Sequence, residues 1–234
     1  MLFGKIKSSI YVIKANSAYQ KGNTQEAINW LEKAYNTGSA KPGIVTTLGY
    51  LLLKEGHLDK SLKIFKEQIN STSKISDNDL YSLKSNYALA LWKNGELDRA
   101  IEMYEAIFPN YKNTNVYGSL GYLYILKGNL EKALEFNKEA MEYNNTGAVI
   151  LDNLGQTYYM LGEYEKADEI FKKLLALSPK FPEAYYDYAL VLDKLGDRDR
   201  CIENLKNALN YKPNFLSGVT VEQIEDKLRQ VEIK

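Results

Sequence analysis

Six glycines, Gly22, Gly56, Gly95, Gly128, Gly162 and Gly196, stand 34, 39, 33, 34 and 34 residues apart, each between two apolar stretches of similar length. A period in that range belongs to stacked copies of one supersecondary unit, none of which buries its hydrophobic face alone. The chain is therefore read as one elongated repeat array over its 234 residues. Such a period defines the kind of surface a chain presents and does not say which molecule meets it.

The columns of the repeat describe its packing. Seven residues before each glycine stands Ala15, Gly49, Ala88, Gly121, Gly155 or Ala189, and five after it stands Ala27, Ser61, Ala100, Ala133, Ala167 or Cys201. Both columns are small throughout, which permits two helices to cross with their backbones close. Larger residues fill the space beside them: Ala18, Leu52, Leu91, Tyr124, Tyr158 and Leu192 four before the glycine, Leu31, Phe65, Tyr104, Asn137, Phe171 and Leu205 nine after it. Leu151, Leu154, Gly155 and Tyr158 follow the spacing of one helical face, and Tyr164, Ala167, Ile170, Phe171 and Leu174 resume it after Gly162. The unit is thus helix, turn, helix, with a left-handed glycine ending the first helix. Pro179 and Pro213 stop second helices.

These residues resemble the tetratricopeptide repeat (TPR) family: Leu151, Leu154-Gly155, Tyr158, Gly162, Tyr164, Ala167, Phe171 and Pro179 meet its pattern, and the match runs over about residues 8–213. The resemblance implies an all-α fold, a right-handed superhelical solenoid of six TPR helical hairpins, with repeats at about 8–41, 42–80, 81–113, 114–147, 148–181 and 182–215. Three positions depart from it: Lys14 where the family has Leu, Gln68 where it has Ala, and Asn137 where it has an aromatic, a slot that Phe136 is expected to fill. Five residues are inserted between Asn70 and Leu80, read as a polar loop or an extended helix end, with Ser76 or Asp77 as the next N-cap. Residues 219–233 differ from the repeats. Val221, Ile224, Leu228 and Val231 make one apolar stripe, and Thr220 with Gln223 reads as a capping box, so this segment is expected to be a C-terminal capping helix.

Composition removes several function classes. Thirty basic and thirty acidic residues balance to zero, against nucleic acid as a partner. The balance is uneven along the chain: residues 1–74 carry 11 Lys/Arg and 5 Asp/Glu, a net +6, so residues 75–234, with 19 and 25, carry −6. That polarity would steer a partner or favour head-to-tail packing, and a chance run of solvated lysines accounts for it as well. One cysteine, Cys201, permits no internal disulfide, and no stretch reads as a signal peptide or as a membrane span; the expected location is the cytoplasm. Abundant Lys, Asn, Ile and Tyr suit an AT-rich bacterial genome.

The same scarcity argues against catalysis. His57 reads as an exposed turn residue and Cys201 as a core substitute for Ala, while Glu163/Glu165 and Asp197/Asp199 read as first-turn acids that favour the helix dipole. No metal-ligand spacing and no phosphate-binding glycine loop occurs, so no catalytic, metal or cofactor site is assigned.

What remains is a binding surface. The resemblance implies that the first helices line a concave face, where Asn16, Tyr19, Tyr50, Asn86, Trp92, Tyr122, Asn153, Gln156 and Tyr159 are the candidate contacts for a peptide. Amides match the donors and acceptors of a polypeptide backbone, and rings add contact area at low entropic cost. The basic clamp that some family members use for a carboxylate tail is absent: its lysine column reads Val12, Thr46, Ser85, Gly118, Asp152 and Tyr186, and only Asn16 fits the pattern. Leu2, Phe3, Ile6 and Ile10, continued by Ile13, form an apolar stripe beside Lys5, Lys7 and Lys14, the candidate surface for self-association, an N-terminal cap or, less favoured, an anionic membrane. The function expected is a non-enzymatic scaffold that binds another protein or peptide. The alternatives are a self-associating module, as a homodimer, and the sensor half of a peptide-responsive regulator.

Overall fold

A computed structural model describes residues 2–71 and 74–233, with the side chain of Leu2 outside the description. The described residues form α-helices and one 3-10 turn, in two compact units, Met1–Tyr111 and Lys112–Lys234. In the first unit α1 (Leu2–Gln20) packs on α2 (Thr24–Tyr35), α3 (Pro42–Lys54) on α4 (Leu58–Ile69), and α5 (Asp77–Lys93) on α6 (Leu97–Ile107), with the first helices α3 and α5 also in contact. In the second, α7 (Thr114–Leu126) pairs with α8 (Leu130–Tyr143), α9 (Ala148–Met160) with α10 (Tyr164–Ala176), and α11 (Pro182–Leu195) with α12 (Arg198–Ala208), followed by α13 (Val221–Ile233). There α7, α9 and α11 lie side by side.

Each hairpin turn is set by its glycine. Gly196 has φ 79° and ψ 10°, and Asp197 N–H, one residue on, donates back to the Leu192 carbonyl at 2.9 Å. This six-to-one bond satisfies a carbonyl that the helix end would otherwise orphan. The same bond runs from His57 to Leu52 (2.8 Å) and from Glu163 to Tyr158 (2.9 Å).

The two small columns are the crossing points. Every member of both is buried, and at Gly155 a β-carbon would stand 2.6 Å from the Phe171 ring, so the ring rests on bare backbone. Ser61, the polar member of its column, donates to the Gly49 carbonyl at 2.8 Å across the same crossing. The larger columns fill the core beside them: Leu52, Phe65, Tyr104, Phe171 and Leu205 are fully buried.

The inserted segment after α4 resolves in favour of Ser76 as N-cap. Its hydroxyl accepts from Asp79 N–H at 3.2 Å, and α5, at 17 residues, is longer than the 13-residue α3. Thr72 and Ser73 of the expected loop lie outside the described residues. Lys14 has a local reason: its ammonium lies 4.3 Å from the centre of the Trp30 ring, which Lys33 approaches at 4.1 Å and Tyr11 stacks on.

The final helix caps the second unit. Ile224 and Val231 are buried, and Thr220 and Gln223 exchange both bonds of the capping box, at 2.8 and 3.2 Å. Arg198 donates to the Val231 and Glu232 carbonyls at its end, and Lys227 pairs with Asp193 at 2.6 Å. Replacing Gly155 with Ala is expected to destabilise the fold by about 1–3 kcal/mol, because the added β-carbon would press on the fully buried Phe171 ring. Urea unfolding of Gly155→Ala beside Gly155→Ala/Phe171→Leu checks this: the smaller side chain should restore part of the loss.

Candidate functional site

The first helices of the first unit carry five of the nine expected contacts. Asn16 and Tyr19 are exposed on α1, Tyr50 is half-buried against the core around Leu48, and Trp92 is half-buried with the Lys93 ammonium 4.2 Å from its ring. Asn86 is half-buried and donates to the Ser82 carbonyl of its own helix at 2.8 Å. On α1 the apolar stripe faces outward: Phe3 is 74% exposed, Ile6 51% and Ile10 47%, while Ala15 and Ala18 turn to the core. Leu2, whose side chain is outside the described residues, completes the expected stripe only by position.

In the second unit Asn153 corrects the sequence reading. It is buried, and its amide donates to the Gly118 carbonyl at 2.7 Å, tying α9 to α7. Asn137 also differs from expectation. It keeps the core slot itself, fully buried and donating to Thr157 at 3.1 Å, and Thr157 in turn donates to the Asn153 carbonyl at 2.7 Å. Phe136 stays half-buried against Tyr117 and Tyr124. The physical reason is that an amide N–H buried without a partner is costly, so the Asn137 nitrogen finds Thr157 across the helices, while its Oδ1 stays buried without a hydrogen-bond partner. The helical period places Asn153 and Gly118 in neighbouring columns, but which of their atoms meet depends on how the helices stack.

Tyr122, Gln156 and Tyr159 do lie together, and the sequence reading missed what lies between them. The Gln156 amide nitrogen donates to Asp152 at 3.3 Å and to Asp187 at 2.5 Å, so one amide bridges two carboxylates on adjacent helices. Asp152 is only 5% exposed, and its Oδ1 is buried with no hydrogen-bond partner. Glu183, one turn before Asp187, accepts from Gly218 N–H at 2.9 Å in the segment joining α12 to α13. A β-carbon on Gly218 would stand 2.5 Å from the Tyr122 hydroxyl, so this segment crosses close over the phenol.

The electrostatics follow from burial of like charges. Burial pushes the Asp187 carboxyl up to about 7, the Gln156 bond opposes the shift, and the charge of Glu183 adds to it. Asp152 is raised well above its ordinary value by burial, then by Asp187 and Glu183. The Tyr122 phenol is raised by burial and by the same three acids. Tyr159 and Tyr186, half-buried beside them, are raised chiefly by burial as well. Asp152 and Asp187 already stand in adjacent columns of the repeat; an acid in the lysine column of a basic clamp was the signal available.

His57 is exposed at its turn, and Cys201 is fully buried in the core of the second unit. Glu163 pairs with Lys166, and Asp197 caps α12 by accepting from Arg200 N–H at 3.2 Å. Among the described residues no group of three or more His, Cys, Asp or Glu is arranged to hold a metal ion, and no helix is long and apolar enough to cross a membrane.

Family models described as tetratricopeptide repeat match residues 8–36, 113–180 and 158–217. The BBSome complex member BBS4 of Bos taurus is 31% identical over 173 residues, 70% of this chain and 31% of that protein. The TPR repeat-containing protein MJ1428 of Methanocaldococcus jannaschii is 24% identical over 244 residues, 99% of this chain and 39% of its own. The chain therefore spans about a third of the length of these curated relatives. Among solved structures, the thermophilic TPR protein TTC0263 of Thermus thermophilus superposes with a TM-score of 0.66 at 22% identity, over 83% of this chain and 100% of that one. PilF of Pseudomonas aeruginosa gives 0.66 at 15% identity over 97% and 99% of the two chains. The APC/C hetero-tetramer Cut9-Hcn1 gives 0.76 at 15%, over 96% of this chain and 42% of the other. At these identities the solved structures show the fold alone.

Two outcomes follow from the buried groups. Asn153→Ala removes the interhelical bond and leaves the Gly118 carbonyl to its own helix, and is expected to cost about 0.5–1.5 kcal/mol in chemical denaturation. Asp187 keeps its proton to about pH 7 in the folded chain, whereas an unfolded aspartate releases it near 3.8. The folded state therefore binds more protons in that window, and the stability Asp187 contributes is full below it and lost as pH rises through about 7. Asp187→Asn, which accepts the same Gln156 bond without titrating, should raise the thermal midpoint more at pH 8 than at pH 5, by about 2–4 °C for each kcal/mol relieved; calorimetry at the two pH values measures the difference.

Proposed function

The chain belongs to the tetratricopeptide repeat family, whose fold generally mediates protein–protein interactions and is typically a non-enzymatic scaffold, and on that footing we propose that it binds an extended or helical polypeptide segment along its first-helix faces. The observation that carries this reading is the surface of the second unit, where Tyr122, Gln156, Tyr159 and Tyr186 stand half-exposed on three side-by-side helices. Rings supply area and the amide supplies adaptable hydrogen bonding, a composition suited to a peptide rather than to an enclosed small molecule. Asn16, Tyr19, Tyr50, Asn86 and Trp92 offer the same chemistry on the first unit. Asn153 is withdrawn from the contact set, since its amide is spent on Gly118. The similarity to BBS4, a BBSome complex member, supports an assembly role.

A second reading is favoured by the exposed stripe Phe3, Ile6 and Ile10 on α1, which would join two copies of the chain. The two readings separate in one pair of measurements. Under the first, a labelled chain probed on a random peptide array binds a subset of sequences, and Tyr159→Ala lowers that binding about tenfold while Ile6→Glu/Ile10→Glu leaves it intact. Under the second, light scattering over a concentration series gives a dimer that Ile6→Glu/Ile10→Glu abolishes. A monomer at every concentration removes self-association, and an array without Tyr159-dependent binding removes the peptide reading.

A further inference from the structure

The acidic cluster of the second unit is unusual in its pairing. Asp152, Glu183 and Asp187 converge from two adjacent helices, yet among the described residues none of the three forms an ion pair with a lysine, arginine or histidine. Their surroundings consist of one amide, one backbone N–H, tyrosine rings and one another, and no cation contributes to the field at either aspartate. The Asp152 oxygen buried without a partner is the unmet acceptor of this network, because a buried carboxylate oxygen is ordinarily paired. We propose that the cluster of Asp152, Gln156, Glu183, Asp187 and Tyr122 receives one cationic side chain, lysine or arginine, of the polypeptide that the second unit binds. This rests on the scaffold reading above and adds the chemistry of the bound segment.

Three features favour a basic side chain of a polypeptide over other occupants. A long aliphatic stem can lie against the tyrosine rings while its charged head meets the half-buried Glu183 and Asp187 carboxylates beside the buried Asp152, and the rings add a cation–π contribution. A metal ion does not fit, since among the described residues the acids do not form a ligand set. The Gln156 amide, which now shares its N–H groups between two carboxylates, would be left with one acceptor while the cation takes the other. Gly218, hydrogen-bonded to Glu183 and close to the Tyr122 phenol, borders the cluster. The sign of the site is opposite to that of a basic clamp for carboxylate tails, and it lies in the part of the sequence that carries the net −6 (19 basic less 25 acidic residues).

The test uses the full chain and a fluorescein-labelled peptide of alternating Lys and Ala, read by fluorescence anisotropy beside its Glu/Ala counterpart. The Lys/Ala peptide should bind and the Glu/Ala peptide should not. Asp152→Asn/Asp187→Asn should weaken binding at least about tenfold at pH 8, whereas Glu222→Gln/Glu225→Gln, on the exposed side of α13, should change it less than about twofold. Circular dichroism shows whether each variant is folded, and a pH series on the unaltered chain gives a readout that needs no variant. Raising the pH from 6 to 8 carries Asp187 through its raised value of about 7 and should tighten the Lys/Ala peptide several-fold. The groups that face it are Asp152 and Tyr159 on α9, Glu183, Tyr186 and Asp187 on α11, and Tyr122 on α7, with Lys227 of α13 paired to Asp193 beyond Tyr159. Lys/Ala binding that ignores both the aspartate pair and pH overturns the proposal. So does free spermidine competing as well as the peptide, since the cluster would then take a small polyamine. A dimer that the aspartate pair dissolves overturns it in favour of a second copy as occupant. If the array peptides bind through Tyr159 and the Lys/Ala peptide does not, the cluster assignment fails alone; if neither binds, the scaffold reading fails with it.

Discussion

The close crossing of two helices at a pair of small residues is the contact on which the rest of the molecule depends. Where the Phe171 ring lies against the Gly155 backbone, no β-carbon separates the two helices, and the columns on either side can interlock only because of that approach. The glycine turns make the approach repeatable. Each ends a first helix in the left-handed conformation and turns the chain back, and every residue of the two small columns is buried.

Polar substitutions within this pattern are accommodated by pairing rather than by exclusion. Ser61 takes a position otherwise filled by Ala or Cys and uses the Gly49 carbonyl; Asn137 takes an aromatic position and uses Thr157. In both cases the hydrogen bond crosses between helices, and the same logic extends through Asn153 to Gly118. Such bonds add directional register to a core whose apolar contacts are tolerant of sliding. They also change what a sequence motif means: an inward asparagine is a ligand contact only where no neighbouring carbonyl claims it first.

The acidic cluster obeys a different balance. Its carboxylates are not neutralised by cations, as the half-buried acids Glu32 and Asp168 are by Lys60 and Lys172. Burial without such pairing makes ionisation unfavourable, and the raised proton affinity of Asp152 and Asp187 is the consequence. A fold held by repeated apolar crossings tolerates that cost locally because the stabilising contacts lie elsewhere. Surfaces of repeat proteins commonly carry such local departures, since each hairpin depends mainly on its neighbours.

Local sequence determined the hairpins, their glycine turns, the small columns and the capping box of the last helix, and narrowed the α5 cap to Ser76 or Asp77, because each depends on contacts within one repeat unit whose spacing the chain itself carries. The stacking of adjacent pairs decided the rest. The hidden Asn153 amide, the retention of Asn137 in place of Phe136, and the meeting of Asp152, Gln156 and Asp187 all involve atoms from different helices. Columns gave those residues a face but not a partner, since hydrogen bonding and burial are settled by distances of a few tenths of an ångström between elements far apart in the chain.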